Sequence, residues 1–150
     1  MLEGFNKIGC DAINVGHYEM LNGLSYLKNI SQKTDIPFIS ANIKNASTNE
    51  LIFEPFLILE RGELKIGVAG VTNQLPDTSK SMFADDYIES ANHYAELLSN
   101  QVDIVVMLVN ADRGSQGALV DQMPNVDFIV TSGSVNMSRA NSPQKEDGPY

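Results

Sequence analysis

Five short runs of apolar residues, at 11–15, 37–41, 65–71, 103–109 and 127–131, restrict the possible folds of this chain more than any other feature. They are rich in Val and Ile and mostly fail to alternate with polar residues. A strand with one wet face alternates, whereas a run that does not is covered on both faces, as in a parallel sheet. Between these runs the apolar spacing changes. Met20, Leu21, Leu24, Leu27 and Ile30 recur at helical intervals, as do Ile88, Ala91, Ala95 and Leu98. Strand alternating with helix predicts an α/β architecture. One stretch departs from it. Residues 51–60 and 65–71 flank Arg61-Gly62-Glu63-Leu64, a Gly-containing turn that predicts an antiparallel hairpin and therefore a mixed sheet. Residues 72–82 carry turn formers without periodicity and read as a long loop. Residues 138–150 read as a loop-like, partly disordered tail.

A chain of 150 residues is the size of one domain and reads as a single globular unit. Its longest apolar run, at 104–109, is far below the roughly 20 residues a membrane helix needs. A net charge of -9, with ten scattered Lys and Arg, repels a phosphate backbone and argues against nucleic-acid binding. The one cysteine, Cys10, excludes an internal disulfide and a thiolate metal cluster and reads as core packing. The first nine residues lack the basic and long apolar regions of a secretory signal and read as the end of a helix.

Ligands of parallel sheets sit beyond the carboxyl ends of the strands. Those ends here read Gly16-His17-Tyr18-Glu19, Ser40-Ala41-Asn42, Thr72-Asn73-Gln74, Asn110-Ala111-Asp112 and Ser132-Gly133-Ser134-Val135-Asn136, all of them polar. The pattern points to a cleft there, although strand ends are also polar simply because loops face water.

Residues 9–27, from Gly9-Cys10-Asp11-Ala12 through Gly16-His17-Tyr18-Glu19 to Leu27, are similar to the pattern G-x-D-A-x-x-x-G-N-H-E-F-D-x-G-x-x-x-L of 5′-nucleotidases and UDP-sugar hydrolases. Ser40-Ala41-Asn42 resembles that family's S-A-N, and residues 65–72 resemble its K-I-G-x-x-G-x-T. Residues 103–108 and 127–130 look like the strands before its S-H-x-G and G-H-x-H. The resemblance implies a calcineurin-like metallophosphoesterase fold, a mixed-sheet sandwich flanked by helices and present here as a partial domain. Residues 1–137 would form it, and 138–150 would be a flexible tail. It also implies divalent metal ions, a nucleotide or other phosphoester ligand, neighbouring domains in a longer parent protein, and a periplasmic or cell-surface location.

The departures from the pattern bear on chemistry. The metal-binding Asn of G-N-H-E falls on His17, the His that protonates the leaving group falls on Tyr18, and the acidic residue that supports this His falls on Leu21. The His of S-H-x-G falls on Asn110. The two His of G-H-x-H fall on Gly133 and Val135, or on Ser134 and Asn136 with one residue inserted. The first two metal motifs, D-x-H and G-D, belong upstream of Met1. A two-metal phosphoesterase holds its ions about 3.5–4 Å apart so that they clamp the phosphate and generate hydroxide, which requires most ligands together. His17 and Asn110 are the candidate metal ligands, and metals are not expected to bind to this chain alone. Tyr18, as a phenol with a pKa near 10, is the weak catalytic candidate. Glu19, Asn42, Asn73, Ser134 and Asn136 are the other cleft candidates.

Each candidate also has a plainer reading. His17 suits a hydrogen-bonded loop, Glu19 the first turn of a helix, and Asn42 and Asn73 the holding of loop geometry. His93 reads as a surface or packing residue, and Arg113 as an anion contact or part of a solvated turn. Three functions are consistent with the residues: a degenerate, weakly active or non-catalytic phosphoesterase domain that binds a ligand or partner, an active hydrolase completed by residues outside the chain, and an unrelated α/β binding module.

Overall fold

The computed structural model describes residue 4, residues 7–77 and residues 80–133. Its centre is a four-stranded sheet made of β4 (Phe56–Arg61), β5 (Leu64–Thr72), β7 (Ile104–Asn110) and β8 (Phe128–Ser132), in that order. β5, β7 and β8 run parallel, and β4 pairs antiparallel with β5. The hairpin closes from Arg61↔Leu64 through Gly62, whose φ of 63 lies in the left-handed region that a tight hairpin turn needs and glycine adopts most readily. The mixed α/β sheet is therefore as expected.

One face of this sheet is covered by α3 (Tyr87–Ser99). Ala91, Ala95 and Leu98 lie on one side of that helix and are fully buried with Ala69, Val71, Val105, Met107 and Val109. The approach is close at Gly67, where an added Cβ would lie 2.8 Å from a Leu98 methyl. The helix starts at Asp86, whose Oδ1 accepts hydrogen bonds from the backbone N–H of Ile88 (2.9 Å) and Glu89 (2.8 Å). On the opposite face the register aligns Leu57, Val68, Val106 and Phe128 in one apolar row. Cover thins toward the β8 edge, where Phe128 is 60% and Val130 55% exposed.

The second core cluster lies under the N-terminal elements. The short parallel pair β1 (Ile13–Asn14) and β2 (Phe38–Ile39) packs with α1 (His17–Met20) and α2 (Gly23–Ser31), burying Val15, Met20, Leu27 and Phe38. β3 (Ile43–Asn45) and β6 (Met82–Ala84) form an antiparallel pair beside them. A one-turn helix α4 (Leu119–Gln122) leads into β8. Lys7 and Ile8 are helical and Gly9 has φ 75, so the helix end expected before residue 10 is present.

Several sequence expectations need correction. The helical pattern from Met20 to Ile30 is two helices, because Gly23 has φ 82 and interrupts the regular turn. Residues 51–55 are not strand: they make only the isolated bridges Lys44↔Leu51 and Ile39↔Glu54, and Pro55 has no N–H to give a ladder. The loop read at 72–82 begins after Thr72 and ends before Met82, which belong to β5 and β6. The tail at 138–150 lies outside the described residues, as do Ser134 and Asn136.

Candidate functional site: a hydrogen-bond network at the strand ends

The parallel register places Thr72, Asn110 and Ser132 side by side at the carboxyl ends of β5, β7 and β8. Asn110 is the hub. Its Oδ1 accepts from the Thr72 hydroxyl at 3.0 Å and from the His17 backbone N–H at 3.2 Å, while its Nδ2 donates to the Ser132 hydroxyl at 3.1 Å. A carbonyl oxygen has two lone pairs, and both are engaged here. Asn110 is 5% exposed and Thr72 is fully buried. This contact also explains Gly16, where an added Cβ would lie 2.8 Å from Asn110 Cγ.

Asn42 joins the same end of β5 from the other side. Its Nδ2 donates to Thr72 O (2.7 Å) and Asp85 O (2.9 Å), and its Oδ1 accepts from Thr72 N (3.0 Å). The fully buried side chain thus imitates a strand partner and holds β6 to β5. Asn73 extends the network outward, donating through Nδ2 to Asp112 Oδ2 (2.9 Å) and accepting at Oδ1 from Asp112 N (3.2 Å). Asp112 also accepts from the Ser115 hydroxyl (2.6 Å) and the Ser115 N–H (3.1 Å). Hydrogen bonds from the Ser115 hydroxyl, then from Asn73, hold the Asp112 carboxyl below its ordinary value of 3.8.

The remaining candidates take local roles. Glu19 Oε2 accepts from Gly16 N at 3.0 Å and so caps α1. The His17 ring meets the Tyr18 ring edge-on at 5.4 Å, and Tyr18 is 61% exposed. Gly133 leaves no room for a side chain in this backbone, since a Cβ there would overlap Ala111 O. The structure thus brings His17, Asn42, Asn73, Asn110 and Glu19 to one end of the sheet, with Tyr18 at its rim.

Two participants went unread in the sequence. Ser115 gives no signal, because a serine in a turn is commonplace. Asn14 does give one: it is a lone amide inside the apolar run Ile13–Val15, and its Nδ2 bridges Val71 O and Leu108 O, both at 3.1 Å. Gly70 permits that approach, because any Cβ there would strike the Asn14 amide.

A two-metal centre needs imidazoles and carboxylates gathered around shared positions. Among the described residues there is no group of three or more His, Cys, Asp or Glu that could hold a metal ion. The groups bonded to one another there are mainly amides and hydroxyls, and the two carboxylates, Asp112 and Glu19, are taken up by Ser115, Asn73 and Gly16, so the set does not fit a pair of divalent cations.

No family model matches the chain. Protein UshA of Salmonella pullorum is 43% identical over 77 residues, which is 51% of this chain and 14% of that protein. The 5′-nucleotidase of Vibrio cholerae is 37% identical over 78 residues, 52% of this chain and 14% of its own length. A probable 5′-nucleotidase of Treponema pallidum is 27% identical over 134 residues, 84% of this chain and 23% of that protein. Among solved structures, the calcineurin-like phosphoesterase YfkN from Bacillus subtilis superposes with a TM-score of 0.71 at 21% identity, over 87% of this chain and 46% of its own. The chain is a relative of the 5′-nucleotidases with a calcineurin-like phosphoesterase fold.

A 5′-nucleotidase precursor from Thermus thermophilus superposes on this 5′-nucleotidase relative with a TM-score of 0.74 at 21% identity, covering 85% of the chain and 27% of the precursor. The chain spans 14% of the length of the UshA protein and of the Vibrio 5′-nucleotidase. Among the described residues, no helix is long and apolar enough to cross a membrane.

Proposed function

We propose that this 5′-nucleotidase relative is a degenerate phosphoesterase domain, non-catalytic or strongly impaired, whose retained fold serves to bind a ligand, a partner or another domain of a longer protein. The observation that carries this reading is the state of Asn110. It stands where the family pattern has a metal-binding His, and its amide oxygen accepts from Thr72 and His17 while its Nδ2 donates to Ser132. Gly133, at a second such position when the motif is aligned without an insertion, abuts the Ala111 carbonyl. In the same reading, residues 1–137 form the domain, and divalent ions are not held by this chain alone. Tyr18 is then an exposed rim residue. A nucleotide or related phosphoester remains the ligand class, and a periplasmic or cell-surface location goes with the 5′-nucleotidase kinship.

The test is metal analysis of the purified 150-residue chain together with turnover assays on a nucleoside monophosphate, a UDP-sugar and p-nitrophenyl phosphate. No metal-dependent turnover is expected. Robust metal-dependent hydrolysis of any of the three contradicts the proposal.

A second reading is favoured by the sequence identity to 5′-nucleotidases and by His17 beside Asn110: an active hydrolase completed by residues outside the chain. It requires a longer parent that carries D-x-H and G-D upstream, and metal-dependent turnover of that parent that falls on His17→Ala. A parent without those motifs eliminates it.

A further inference from the structure

We draw no further inference here: the strongest candidate, the partly open apolar face of the four-stranded sheet around Val106, Phe128 and Val130, is an unpartnered surface, and nothing in the structure shows what covers it.

Discussion

The carboxamide oxygen of Asn110 lies 3.0 Å from the hydroxyl of Thr72, its cross-strand neighbour at the carboxyl ends of β7 and β5. Because the same oxygen also receives the His17 N–H, one side chain ties α1 to the central sheet. Buried polar groups left without partners cost roughly 1–3 kcal/mol each. Asn110→Ala should therefore lower unfolding stability by about 1–3 kcal/mol, since it leaves the His17 N–H without its acceptor, while the Thr72 hydroxyl keeps Gln74 as a partner. Urea unfolding measures this. A loss under about 0.5 kcal/mol, the range of an ordinary surface substitution, would show that the network is not structural.

Asn110→His restores the residue type of the family motif but not its surroundings. Gly16 already packs against the Asn110 amide, so a larger ring must displace α1 or point elsewhere. The variant should be less stable than the parent chain and should gain no stoichiometric Zn²⁺ or Mn²⁺ in a calorimetric titration. One-to-one micromolar binding by this single substitution would contradict the view that the metal positions are lost as a set.

Gly133→Ala sets a Cβ into the Ala111 carbonyl and should destabilise the chain by about 1–3 kcal/mol, in the usual range for overpacking. Gly117→Ala is the control. An added Cβ there meets nothing within 4 Å, so the change should be neutral or slightly stabilising. Equal effects of the two substitutions on the denaturation midpoint would refute the contact.

Asp112 makes a prediction about pH. Its carboxyl is held below 3.8 by the Ser115 and Asn73 hydrogen bonds, so the unfolded chain binds the proton more readily than the folded one. The resulting stability is present above the unfolded value and is lost as pH falls through the lower folded value. Asp112→Asn should therefore be less stable than the parent at pH 6, with the difference shrinking as pH falls below about 4. A difference that stays constant across urea titrations from pH 6 to pH 3 would show that the charge is not involved.

The exposed edge of the sheet should bind an apolar dye. Phe128→Ser combined with Val130→Ser should reduce dye fluorescence while changing stability by about 0.5 kcal/mol or less, as for other exposed sites. Unchanged fluorescence would locate the dye elsewhere.

The parts of the fold that were legible in the sequence are those marked by unbroken apolar runs, helical periodicity or a turn glycine, although the run in β8 is not covered on both faces, since Phe128 and Val130 are exposed. β5, β7 and β8 declare themselves through unbroken Val and Ile runs, α3 through Ala91, Ala95 and Leu98, and the hairpin through Gly62. β3 and β6 are three-residue strands whose pairing depends on tertiary contact, so no local pattern marks them. The break at Gly23 was hidden because the apolar spacing continues across it. At the site, the clustering of polar strand ends could be read from the run boundaries. The double engagement of the Asn110 amide oxygen could not, because it depends on the Thr72 hydroxyl and the His17 N–H meeting one oxygen from different parts of the chain. The closeness of Gly133 to Ala111 O is likewise a matter of backbone approach.

A degenerate site and an intact one differ in whether the unmodified chain can hold a pair of divalent cations. Titration of the tag-free 150-residue protein with Mn²⁺ or Zn²⁺, followed by desalting and elemental analysis, measures it. The structure predicts well under one equivalent retained. Two equivalents retained, with both lost on Asn110→Ala, would contradict it.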